Sequence, residues 1–72
     1  MDKKALLAIF GNNLRAERNR QNLSQEKLAE KAGIMMSQIS RIESGKTDLR
    51  LSTLVPILKA LNLEFEKLYK FD

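Results

Sequence analysis

The sequence has no cysteine and no histidine, a single proline and three glycines. Without cysteine there can be no disulfide, and without either residue the usual zinc sites are excluded, so stability must come from core packing, with dimerisation as the one available aid. The same absences remove the common nucleophile–base pairs. Ser37, Ser40 and the carboxylates show no base-to-nucleophile spacing and no metal-ligand set, which argues against an enzyme and implies neither cofactor nor metal. No apolar run approaches the roughly 18 residues of a membrane span. Lys3-Lys4 followed by residues 5–10 is too short and too soon interrupted for a signal peptide, so the expectation is a soluble, cytoplasmic chain with no membrane partner. There is also no linker, internal repeat or low-complexity stretch. The 72 residues are expected to form one domain, 1–72, near the lower size at which a single core folds without a staple.

Thirteen Lys and Arg stand against nine Asp and Glu, a net charge of +4. That excess suits a polyanion, but a plain solvated surface gives the same total, so it points to nucleic acid only in company with a motif.

The motif is in residues 24–45, SQEKLAEKAGIMMSQISRIESG, which read as helix, tight turn, helix. Ser24 is a good N-cap, Leu28, Ala29 and Ala32 share one face, and Gly33 is the residue type that follows a helix end. Ile34, Ile39 and Ile42 place a second short helix on the same core and leave Met36, Ser37, Gln38, Ser40 and Arg41 outside. Upstream, Leu6, Phe10 and Leu14 recur at intervals of four and predict a first helix over residues 3–22, with Arg15, Arg18 and Arg20 readable as a solvated face. Gly11 inside it costs about 1 kcal/mol against Ala, and marks either a close backbone approach or simple tolerance. Downstream, residues 44–48 are turn-rich. Ser52 or Thr53 is expected to cap a fourth helix through Leu61, with Leu54, Ile57, Leu58 and Leu61 inward and Pro56 disturbing its first turn. Residues 64–69 fit a fifth helix with Phe65 and Leu68 inward. A period-two reading of Phe65, Lys67, Tyr69 and Phe71 instead allows a strand whose edge could pair with a second copy.

Ser24-Gln25, Leu28-Ala29, Ala32-Gly33-Ile34, Ile39-Ser40-Arg41-Ile42-Glu43 and Gly45, with Leu14-Arg15 and Arg18 before them and Leu54, Ile57, Leu61 and Leu68 after, resemble the helix-turn-helix of the phage repressor and Cro class, the XRE family. The resemblance covers nearly the whole chain and rests on the register of all these positions together. It implies an all-α, five-helix, lambda-repressor-like domain in which the second and third helices are the helix-turn-helix. The function implied is a regulator of transcription, a repressor that binds a palindromic double-stranded DNA operator as a homodimer. It further implies an ion pair between Arg18 and Glu43.

The third helix would then enter the major groove, where base edges are distinguishable. By resemblance the base-reading positions are Met36, Ser37 and Arg41, with Met35 and Gln38 next; Arg41 has the fork that suits guanine O6 and N7. Where the family has a polar cap and a long polar reader, this chain has Met35 and Met36, able to touch thymine methyls or, alternatively, to fill the core. The absent Ser or Thr cap at 35 costs about 1 kcal/mol. Phosphate contacts are expected from Ser24 and Gln25 at the start of the second helix and from Ser44, Lys46, Thr47 and Arg50 in the loop after the third. Two alternatives share this core: an antitoxin that holds a toxin through residues 65–71, and a restriction–modification controller.

Overall fold

The computed structural model describes residues 2–67. Asp2 opens the first helix, α1 (Lys3–Arg20), its carboxylate accepting the Ala5 N–H at 2.7 Å. Ser24 opens α2 (Gln25–Ala32) in the same way, accepting from the Lys27 N–H at 3.0 Å, so each helix start satisfies an otherwise orphaned donor. α3 is Met36–Glu43 and α4 is Leu51–Leu61.

All four helices close by one device. A left-handed residue follows the last turn, Asn22, Gly33, Gly45 or Asn62, with φ of 58, 71, 71 and 54°. The next N–H then reaches back five residues: Leu23 to Arg18, Ile34 to Ala29, Lys46 to Arg41 and Leu63 to Leu58, at 2.9–3.1 Å. Leu23, Ile34 and Leu63 pack against the core, so three of the four stops are also hydrophobic anchors. This closure corrects the first helix, which ends at Arg20 and not at 22: Asn22 takes the left-handed position because its short polar side chain tolerates it.

Leu14, Leu28, Ala29, Ile39, Ile42, Ile57 and Leu61 make the buried cluster. α2 lies between α3 and α4, and α1 packs across α3. Where α1 crosses α3, Gly11 is buried, and a Cβ there would lie 2.5 Å from the Ile42 carbonyl oxygen and 2.6 Å from that of Glu43. Of its two sequence readings, close backbone approach is the one realised.

Two expectations about the C-terminal half are corrected. α4 is capped by neither Ser52 nor Thr53 but begins after extended Arg50, whose carbonyl accepts from the Thr53 and Leu54 N–H groups at 3.0 and 2.9 Å. Pro56 is therefore the sixth residue of a continuous helix, and its missing donor falls opposite Ser52, which is exposed, so solvent can take that carbonyl. The fold has four α-helices among the described residues, not five. The stretch expected to be the fifth contributes one 3-10 turn, Phe65–Lys67, because the left-handed Asn62 and the non-helical Leu63 and Glu64 leave too few residues for a longer helix before residue 68. Phe65 stacks on Phe10 with ring centroids 6.2 Å apart, yet remains 48% exposed. No strand occurs among the described residues; the strand alternative and the inward role expected of Leu68 fall partly or wholly on residues 68–72, outside them.

Candidate nucleic-acid interface

α3 is held from behind by Glu43, its last residue, whose side chain is fully buried. Arg18 grips it in a fork, Nε to Oε2 at 2.6 Å and Nη2 to Oε1 at 3.0 Å, while Arg18 Nη1 donates to the Leu23 carbonyl at 2.7 Å. Gln25 Nε2 donates to Oε1 at 3.0 Å, and Arg15 approaches the same oxygen with Nε at 3.4 Å. Burial by itself would push the Glu43 carboxyl up, but the hydrogen bonds from Arg18 and Gln25, with the Arg18 charge, outweigh it and hold the group below the usual carboxylate range. The bond to Glu43 in turn raises Arg18. The Arg18–Glu43 contact implied by the resemblance is thus part of a four-residue cluster that joins α1, the first residue of α2 and the end of α3. Arg15, readable as a solvated side chain from the sequence, belongs to it, one turn before Arg18 on α1.

The opposite face of α3 is open. Met35 is 68% and Met36 49% exposed, so neither fills the core, and Ser37, Gln38, Ser40 and Arg41 are exposed beside them. Met35 is the residue before the helix and supplies no side-chain hydrogen bond to it. Its own N–H is instead taken by Gln38 Oε1 at 3.0 Å. Gln38, a candidate base reader, is therefore engaged in closing the start of its own helix. This is half of a capping box, which predicts that Met35→Ser completes it and adds about 1 kcal/mol of stability, read as a rise of about 4–8 °C in thermal midpoint. An unchanged midpoint would mean that the Gln38 contact alone satisfies this helix start.

The flanking candidates divide by what they have left to offer. Gln25 gives one side-chain N–H to Glu43, which leaves its second amide N–H, its Oε1 and the backbone N–H at the start of α2. The Ser24 oxygen is occupied by Lys27 N–H, but its own proton stays available. The Ser44 proton is committed to the Ser40 and Arg41 carbonyls at 2.9 and 3.2 Å, and the Thr47 hydroxyl makes a long 3.4 Å contact with the Asp48 carbonyl. Arg41, Lys46 and Arg50 are exposed and have no side-chain partner among the described residues. Arg41 and Arg50 line a concavity of about 240 Å³ together with Gln38, Ile42, Thr47, Asp48 and Thr53. The negative charge there is partly answered: the Leu49 N–H at 2.8 Å and Lys3 at 3.3 Å hold the Asp48 carboxyl below its ordinary range. Exposed cations therefore stand on α3, as Arg41, and in the loop after it, as Lys46 and Arg50, beside exposed Met36, Ser37, Gln38 and Ser40.

Comparison with known proteins identifies the fold and family. The family model described as helix-turn-helix matches residues 14–68. The control protein C.SmaI of Serratia marcescens is 44% identical over 68 residues, 94% of this chain and 77% of that protein. The crystal structure of the restriction-modification controller protein C.AhdI from Aeromonas hydrophila superposes with a TM-score of 0.87 at 34% identity, covering 90% of this chain and 98% of that one. The restriction-modification controller protein C.Esp1396I does so with a TM-score of 0.78 at 25% identity, over 93% and 96%. With α2 and α3 in helix-turn-helix register and these relatives covering most of its length, the chain belongs to the XRE-type helix-turn-helix family of DNA-binding regulators.

Proposed function

We propose that residues 1–72 act in the cytoplasm as one DNA-binding domain that pairs with a second copy on a palindromic operator, represses transcription there, and serves as a controller of restriction–modification genes. The observation that carries DNA reading is Arg41: a guanidinium without a partner among the described residues, on the outward face of a helix whose inward face is locked through Glu43. Likeness to controller proteins favours that gene context over the antitoxin alternative. A dimer is supported by large exposed apolar side chains outside α3, Leu51 at 73%, Val55 at 44% and Phe65 at 48%. One recognition helix reads few base pairs, and two copies a helical turn apart multiply the discrimination.

In this proposal Arg41, Ser37 and Met36 face bases, while Lys46, Arg50, Thr47, Ser24 and the Gln25 N–H face phosphates. A random-site binding selection on the full chain is expected to return two inverted half-sites centred about 10 base pairs apart. Arg41→Ala should then lose preference at one position per half-site, a loss of about 1–3 kcal/mol on cognate DNA only, whereas Lys46→Ala should weaken cognate and scrambled duplexes alike and lower the salt slope by about one. Titrations on both duplexes across a salt series check this. Equal losses for Arg41→Ala on the two duplexes, or an unchanged slope for Lys46→Ala, would overturn the division of roles.

A further inference from the structure

Resting on the DNA-reading proposal above and deepening it, we infer that Met36 is a specificity-determining residue that reads the C5-methyl group of a pyrimidine in the major groove. The argument is one of elimination on α3. Gln38, the amide that would read adenine through paired donor and acceptor, has its acceptor oxygen on the Met35 N–H at 3.0 Å. Ser37 and Ser40 are too short to reach far. The long side chains with free ends are then Arg41, a pure donor, and the two methionines, which carry no strong donor or acceptor at all.

Of the two, Met36 is the first residue of α3, and Met35 stands outside the helix in extended conformation. Recognition helices meet base edges with their N-terminal residues. Met36 shares α3 with exposed Ser37, Ser40 and Arg41, exposed Met35 precedes it, and exposed Lys46 and Arg50 follow in the next loop, so nearby cations draw a polyanion toward this helix. A half-exposed thioether at such a place gains only where the partner offers an apolar group. Base edges in the major groove present donors, acceptors and one kind of alkyl group, the pyrimidine C5-methyl. A polarisable, three-torsion side chain can settle on that group without demanding fixed geometry. Met36 and Arg41 are five residues apart, about 7.5 Å along the helix at 1.5 Å per residue. The methyl read by Met36 therefore falls within about two or three base pairs of the guanine read by Arg41, at 3.4 Å per step.

The methyl has two sources, thymine and 5-methylcytosine, and the test separates them. On the half-site returned by the selection, each thymine is replaced in turn by uracil, which removes only the methyl, and each cytosine by 5-methylcytosine, which adds only the methyl. Affinity of the full chain is measured for wild type, Met36→Ala and Met35→Ala, with thermal melts to verify that all three are folded. The expected result is one position per half-site where wild type loses about fourfold on uracil, or gains about fourfold on 5-methylcytosine, the factor that burying one methyl supplies. Met36→Ala should bind both forms equally, and Met35→Ala should keep the wild-type preference. Sequence-selective binding with no methyl effect at any position, or an effect that survives Met36→Ala, would overturn the inference and leave DNA reading intact. A chain that selects no sequence would overturn the underlying proposal as well.

Discussion

Glu43→Gln is expected to lower the unfolding free energy by about 3–5 kcal/mol, the range for removing one member of a buried ion pair and leaving the other charge stranded. The replacement is nearly isosteric, so the loss is electrostatic and not a cavity effect. Arg18 is 9% exposed with two of its nitrogens on the carboxylate, and an amide in that place offers one acceptor oxygen and turns an N–H₂ toward donors. A chain of this size has roughly 0.05–0.15 kcal/mol of stability per residue, so the change removes a large share of the total. Urea denaturation measures it as a lower midpoint at constant slope. An exposed pair would lose less than about 1 kcal/mol, and a result in that range would reject the buried reading. Coupling should also appear in a double-mutant cycle: Arg18→Met with Glu43→Leu should cost less than the sum of the single changes, since no buried charge is then left unpaired and Arg15 is half exposed.

The same residue sets an acid limit. The Glu43 carboxyl is held below its ordinary value in the folded chain, so the unfolded state binds its proton first and stability falls as pH drops. The contribution is complete above the unfolded value of about 4.3 and disappears as pH falls through the lower folded value. Wild type should lose stability progressively below about pH 5, and the slope should be shallower in Glu43→Gln. Equal slopes would mean that other carboxylates carry the acid response. Arg18 is raised by its hydrogen bond to Glu43, stays charged throughout and adds nothing in this window.

Gly11→Ala is expected to destabilise by about 2 kcal/mol, although Ala is the better helix former by about 1 kcal/mol. The two effects oppose, and geometry decides between them. The added methyl would sit 2.5 and 2.6 Å from two backbone carbonyl oxygens, which cannot rotate aside as a side chain can, so α1 and α3 must separate. That separation also pulls Arg15 and Arg18 away from Glu43, and the recognition helix loses its seat. Stability and specific DNA affinity should fall together. A higher denaturation midpoint would show that propensity wins and that the helices can part cheaply.

The helices and their limits are written locally. Ser24, the Leu28–Ala29 spacing and Gly33 define α2 within ten residues, because a cap, an apolar stripe at 3.6 residues and a left-handed stop each act over a turn or two. Local pattern was weaker where several residues compete for one role: Asn22 as the stop of α1, Arg50 in place of Ser52 or Thr53 before α4, and the run after Leu61, where the Asn62 stop leaves a single 3-10 turn before residue 68. Partner choice was not local at all. The partners of Glu43 come from 18, 25 and 28 residues away; family resemblance pointed to Arg18, and nothing in the spacing pointed to Gln25 or Arg15. Likewise the sequence left Met35 and Met36 free to face core or solvent, and the capping contact of Gln38 emerged only with the structure. Periodicity tells which side of a helix is apolar, but which groups meet across helices is decided only when α1 crosses α3 at Gly11 and α2 packs on α3, since those contacts set the distances on which ion pairs and hydrogen bonds between helices depend.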